Sequence, residues 1–163
     1  MQSLLEWLPY LALVATVGCG VMAGLLFAFS NVVMRALAQL PPAAGLEAMQ
    51  RINVAIVNPV FLTCFVGTTL VSAVIAAITA VVPDQGWLFG ASLAYLVGVF
   101  GVTVARNVPL NNTLAATPVA DAATHWPAYV ASWGRWNHVR TVAALGATVA
   151  FAIGLLDWGA RFG

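Results

Sequence analysis

Trp133 to Thr141 reads Trp-Gly-Arg-Trp-Asn-His-Val-Arg-Thr, which sets two indoles, an amide, an imidazole and two guanidinium groups within nine residues. On a helix, Trp133, Trp136, Asn137 and Arg140 fall within roughly one 100° face, while His138 lies nearer Arg135. Such a face offers ring surface for stacking and donors for carbonyl or phenolate oxygens, which suits a planar, oxygen-rich ligand. A second reading stands beside it: Trp126, Tyr129, Trp133 and Trp136 could form an aromatic belt at a membrane surface, where Trp and Tyr gather near headgroups.

Other polar residues fall at the ends of apolar runs. Asn107-Val108-Pro109-Leu110-Asn111 closes the third run, and proline both removes a backbone donor and disfavours a helical residue before it, so the helix should stop or kink near Val108. Asn107 could then cap freed carbonyls, or Asn107 and Asn111 could line a site beside broken backbone. Asn58-Pro59 has the form of an N-cap followed by proline at the first helical position. Asn53 has no such explanation. Asn31 and Arg35 are one turn apart and share a face, although Arg35 could equally reach out to lipid headgroups.

The elements that must position these groups follow from composition. Hydrophobic residues make up 62% of the 163 and charged residues 7%, with a mean hydropathy of +0.95, which marks an integral membrane protein in one membrane domain, 1–163. A net charge of +1 leaves nothing for nucleic acid to bind. Cys19 and Cys64 form no metal or redox spacing and fall at different membrane depths, which argues against a disulfide. Four spans are expected, at about 8–31, 59–82, 87–107 and 136–156. The last is informative, because Val142–Leu156 reaches only ~22 Å against roughly 30 Å of hydrocarbon. It must borrow turns from Trp136–Thr141, drawing Asn137, His138 and Arg140 to the membrane edge, where polar side chains face a bundle interior or a watery cavity. The first span carries Glu6 and no basic residue before it and continues past Cys19, so it reads as a retained helix rather than a signal peptide.

The predicted fold is all-α: an up-down-up-down four-helix membrane bundle, with a short interfacial helix at 45–57 between spans 1 and 2, or an extension of span 2 there, and a polar, aromatic segment before span 4. Gly20-x-x-x-Gly24, and Ala143, Ala147, Ala150 and Gly154, supply small faces for close packing within the chain or across a homodimer. Arg35, Arg51, Arg106, Arg135 and Arg140 all fall at one end of the bundle. Glu6, Asp84 and Asp157 fall at the other with only Arg161, so the arginine end is expected in the cytoplasm and both termini outside the cytoplasmic membrane.

With these residues in view, the chain resembles the anthrone oxygenase-like integral membrane proteins. The resemblance covers roughly residues 18–145. It is carried by the small-residue first helix through Asn31, by Asn53-x-x-x-x-Asn58-Pro59-x-Phe61, by Asn107-Val108-Pro109-Leu110-Asn111, and by Trp133-x-x-Trp136-Asn137-His138-x-Arg140-Thr141. It implies oxidation of an anthrone to an anthraquinone by dioxygen as co-substrate, with no added cofactor. It carries over no catalytic assignment, so roles are argued from chemistry. Removing a proton from the central methylene spreads charge onto the carbonyl oxygen across the ring system, giving an anion that dioxygen can oxidise. His138 could act as the base. Arg140, with Asn137, Asn107 or Asn111, could hold the oxyanion, with Trp133, Trp136, Asn53 and Arg35 as further substrate contacts. No metal set is expected, since His125 and His138 have few carboxylates and no His-x-x-x-His or Glu-x-x-His spacing.

A reading of another class uses the same residues. A membrane protein that catalyses nothing could hold a lipid, a quinone or a partner helix through the aromatic, Arg and Asn cluster. A transporter fits less well, because four short spans show no inverted repeat or charged pair at mid-membrane.

Overall fold

Four helices are long and apolar enough to cross a bilayer in the computed structural model, which describes residues 2–162: Leu5–Ala38, Pro59–Thr79, Gly86–Ala116 and Val119–Arg161. The chain is an integral membrane, all-α bundle. Span 1 comprises α1 (Gln2–Ala28), a π-helical turn (Phe29–Val33) and α2 (Met34–Ala38). After α3 (Pro42–Ala55) come α4 (Pro59–Thr79), which is span 2, and α5 (Gly86–Tyr95). Two π-helical stretches, Leu96–Gly101 and Thr103–Asn107, join α5 to α6 (Val108–Ala116) and complete span 3. A 3-10 turn, Val119–Asp121, leads into α7 (Ala122–Phe162). α1 packs on α4 and α7, and α5 packs on the same two helices, so neighbours in sequence are neighbours in space around a closed ring.

The bundle is apolar on its outside as well as in its core. Val14, Val17, Val21, Leu70, Val97 and Val149 are exposed, because lipid solvates them. Inside, close approach rather than the hydrophobic effect holds the helices. A Cβ on Gly98 would lie 2.5 Å from that of Ala143, and one on Gly154 would lie 2.5 Å from Leu88 Cδ2. The small face of span 4 is therefore taken up within the chain, against span 3. In span 1 the tight position is Gly18, against Thr68, whereas Gly24 meets nothing within 4 Å. Hydroxyls in the apolar layer bond back to their own helix, as Ser92 does to the Leu88 carbonyl (2.8 Å) and Thr69 to that of Phe65 (2.8 Å).

The spans differ in length, and this makes room for a site. α4 has 21 residues, about 31 Å and just enough to cross, whereas spans 1, 3 and 4 have 34, 31 and 43 residues. All three excesses lie at the end where α4 begins. There α3 folds against α6 and α7 and closes a second apolar core of Met34, Leu37, Leu46, Met49, Leu114, Ala122, Trp126, Tyr129 and Trp133. Gln50 Nε2 ties α3 down by donating to the carbonyls of Leu114 (2.8 Å) and Thr117 (3.1 Å) at the end of α6.

The expected short helix between spans 1 and 2 is α3, which packs on protein with Gly45, Leu46 and Met49 buried. Two expectations change. The aromatic segment is neither a separate element nor a headgroup belt: it is the first half of α7, with Trp126, Tyr129 and Trp133 each less than a tenth exposed and stacked at 5.7 and 6.4 Å between centroids. Span 3 does not stop at Val108. The Val108 N–H donates to the carbonyl of Thr103, five residues back, and this wider π register accommodates the proline ring that an α register would reject. Asn58 does cap α4, accepting from the Phe61 N–H at 3.0 Å.

Candidate functional site

Beneath the α3 lid a cavity of about 150 Å³ enters the bundle among spans 1, 2, 3 and 4. Its floor and sides are apolar, formed by Leu26, Phe29, Phe65 and Val99, and Met49 and Ile52 close it from the lid. One wall is polar. It carries Thr103, Asn107 and Asn111 from span 3, Asn137 and Arg140 from α7, and Asn53 from the lid, with the Trp133 ring beside them.

Arg140 is 7% exposed. Its Nη1 donates to Thr103 Oγ1 (3.1 Å) and its Nη2 to Asn137 Oδ1 (2.7 Å), and its guanidinium lies 5.3 Å from the centroid of the Trp133 ring. The two ion pairs among the described residues join Arg51 to Glu47 and Arg161 to Asp157, so Arg140 is held by neutral dipoles and an aromatic face. Burying a cation this way costs several kcal/mol that an anionic partner would offset.

Asn137 fixes that cation. It is fully buried, and its Nδ2 donates both to the Leu26 carbonyl (2.8 Å) and to Ser30 Oγ (2.7 Å). With both amide hydrogens committed to span 1 and its oxygen to Arg140, it has no donor left for an oxyanion. Through these bonds Asn137 orients Arg140 at the cavity wall that both residues line. The π turn at Phe29–Val33 lies where these bonds cross, as π turns at sites commonly do.

Asn111 orients the aromatic wall. Its Oδ1 accepts from Tyr129 Oη (2.9 Å) and from Trp133 Nε1 (2.8 Å), and Phe29 meets the Trp133 ring at 5.8 Å. Asn107 donates weakly to the Trp133 carbonyl (3.4 Å).

Three buried polar atoms of residues on this wall make no hydrogen bond of good geometry: Asn107 Oδ1, Arg140 Nε and Asn53 Nδ2, the last lying against the Tyr129 hydroxyl as its side-chain partner. Only Ser72 Oγ and Trp126 Nε1 share that condition among the described residues, so unmet polar capacity is concentrated in this cavity. Buried polar groups are normally satisfied, so unmet capacity on three residues of this one wall marks it as the candidate binding surface.

Six of the expected residues thus come together: Asn53, Asn107, Asn111, Trp133, Asn137 and Arg140. Three do not. His138 is exposed and, with Arg35, lines a separate pocket of about 150 Å³ on the outer side of spans 1 and 4. One residue along a helix is a turn of about 100°, so burying Asn137 carries its neighbour His138 away from the cavity. Trp136, at the edge of the expected face, packs under Arg106, whose guanidinium is 4.9 Å from its ring centroid. Thr103, Ser30 and Gln50 were not picked out by sequence reasoning. Thr103 precedes Asn107 by four residues, a same-face spacing that could have flagged it; Ser30 and Gln50 carry no such signal. Among the described residues no three His, Cys, Asp or Glu side chains gather as a metal set.

The sequence model of a family described as anthrone oxygenase matches residues 53–150, from Asn53 of the lid through most of span 4. No curated protein and no solved structure matches the chain.

Proposed function

The chain belongs to the anthrone oxygenase family, and from that premise we propose that it oxidises a planar phenolic or anthrone-type substrate with dioxygen as co-substrate and no added cofactor. The observation that carries this reading is Arg140, a buried guanidinium with no carboxylate partner, set beside Trp133 at the wall of an apolar cavity.

The substrate stacks along Trp133 and Phe29 with its carbonyl oxygen toward Arg140 and Asn53. Loss of a proton from the central methylene moves charge onto that oxygen, and in an apolar, water-poor space a fixed cation stabilises it strongly. Among the described residues no carboxylate, imidazole, amine or thiol lines the cavity. The site therefore acts by making the anion accessible, and the proton leaves to water at the cavity mouth. The anion then passes electrons to dioxygen. One oxygen atom becomes the new ring carbonyl, and the other leaves as water with the two methylene hydrogens, so atoms and electrons balance.

That same lack of a proton acceptor favours a second reading, in which the cavity binds a quinone or other planar anion without turnover. Oxygen uptake by purified protein in detergent separates the two. With an anthrone, wild type should consume oxygen, and Arg140→Met should lower the rate roughly 10²–10³-fold. Trp133→Leu should act mainly on affinity. Quenching of tryptophan fluorescence by the anthrone with no accelerated uptake would favour the binder, and undiminished turnover in Arg140→Met would remove the proposed oxyanion site.

The cavity end is proposed to be cytoplasmic, with both termini outside. Without Arg140, which serves the site, the arginines still divide four to one in favour of that end. A homodimer would use the uncovered Gly24 face, since the small residues of span 4 already pack within the chain.

A further inference from the structure

His138, Arg35 and Asn31 are left unused by the cavity, yet they meet in one groove between spans 1 and 4, with Phe27 and Val142 at its apolar side. Ser30 and Thr141 stand between groove and cavity, sharing a 3.2 Å hydroxyl contact. We propose that this groove binds an anionic phospholipid, with its phosphate held by Arg35 and His138 and an acyl chain lying against Phe27 and Val142.

The order of groups along the membrane normal matches such a lipid. Phe27 and Val142 lie one turn deeper than Asn31 and His138 and are 52% and 70% exposed, as acyl-facing residues are. Asn31 and His138 mark the edge of the apolar run. Arg35 lies one turn, about 6 Å, farther out, at headgroup depth. Among the described residues neither ion pair uses Arg35 and no carboxylate lines the groove, so an incoming phosphate meets no competing anion there. A basic pocket between spans at the arginine-rich end is where lipid phosphates are recognised. The stem of Arg35 and the His138 ring also extend the apolar contact beneath the charge.

The test is native mass spectrometry of the full chain in detergent with phosphatidylglycerol, phosphatidylcholine or inorganic phosphate. Wild type should retain phosphatidylglycerol over phosphatidylcholine by roughly five-fold, the value of one basic contact near a membrane surface. Arg35→Gln and His138→Gln should each bring retention down toward the phosphatidylcholine level, and both positions are exposed, so the variants should fold as judged by thermal unfolding. Arg51→Gln, outside the groove and already paired with Glu47, should retain the lipid as wild type does. Equal retention of the zwitterionic lipid, or wild-type retention in both groove variants, overturns the proposal. Displacement of phosphatidylglycerol by inorganic phosphate at equal concentration would assign the groove to a soluble anion and overturn the lipid source.

Discussion

Arg140 Nη2 donates to Asn137 Oδ1 at 2.7 Å across one turn of α7, and Asn137 in turn is anchored to the Leu26 carbonyl of span 1 at 2.8 Å. The cation at the cavity wall is thereby fixed to two helices through one amide. The orientation of Arg140 is a property of the span 1 and span 4 interface.

Asn137→Ala should therefore reduce both stability and turnover. It leaves an Arg140 donor unpaired in a buried place, at a cost of about 1–3 kcal/mol. Thermal unfolding in detergent should show the loss. An unaltered melting temperature would mean that the anchor contributes nothing.

His138→Ala should slow oxygen uptake less than ten-fold, well short of the roughly 10²-fold or more expected on removing a general base. The imidazole opens onto the outer groove, away from the cavity. A loss as large as that of Arg140→Met, measured side by side, would restore His138 as the base.

Gln50→Ala should loosen the lid. Its side chain makes two hydrogen bonds to carbonyls at the end of α6, and losing both should raise the open population of α3 on the order of ten-fold. Hydrogen exchange over residues 42–57 should quicken while that of α5 stays as it was. Uniform change across the chain would point to global destabilisation.

Orientation is read with cysteines in a background lacking Cys19 and Cys64. Gly86→Cys, at the exposed first residue of α5 with open space around its Cβ, should react with an impermeant thiol reagent added outside intact cells. Asp121→Cys, exposed at the cavity end, should react only after permeabilisation. The reverse pattern would invert the topology and leave the bundle intact.

Span number and order were legible in the sequence because the bilayer imposes one length on every apolar run. The shortness of Val142–Leu156 alone required that Trp136–Thr141 be helical, and the structure extends that helix to Ala122. Asn107, Asn111, Asn137 and Arg140 also stood out, since polar side chains in an apolar chain need a stated reason. Their partners were less visible. Thr103 and Ser30 resemble many hydroxyls that bond back to their own helix, and only a neighbouring span makes them acceptors for Arg140 and Asn137.

What the sequence by itself determined was which residues lie in the membrane and at which depth, because hydrocarbon thickness and the rise per residue settle that along the chain. Tertiary structure decided which way each residue faces. Asn137 and His138 share a depth, yet the close fit of span 4 against spans 1 and 3 turns one to the cavity wall and the other to the outer groove. It likewise carried span 3 past Pro109, as a π register reconciled the proline with a continuous helix. Depth follows from chain length against a fixed solvent thickness, whereas facing is set by rotation about the helix axis, and only packing against neighbouring helices fixes that angle.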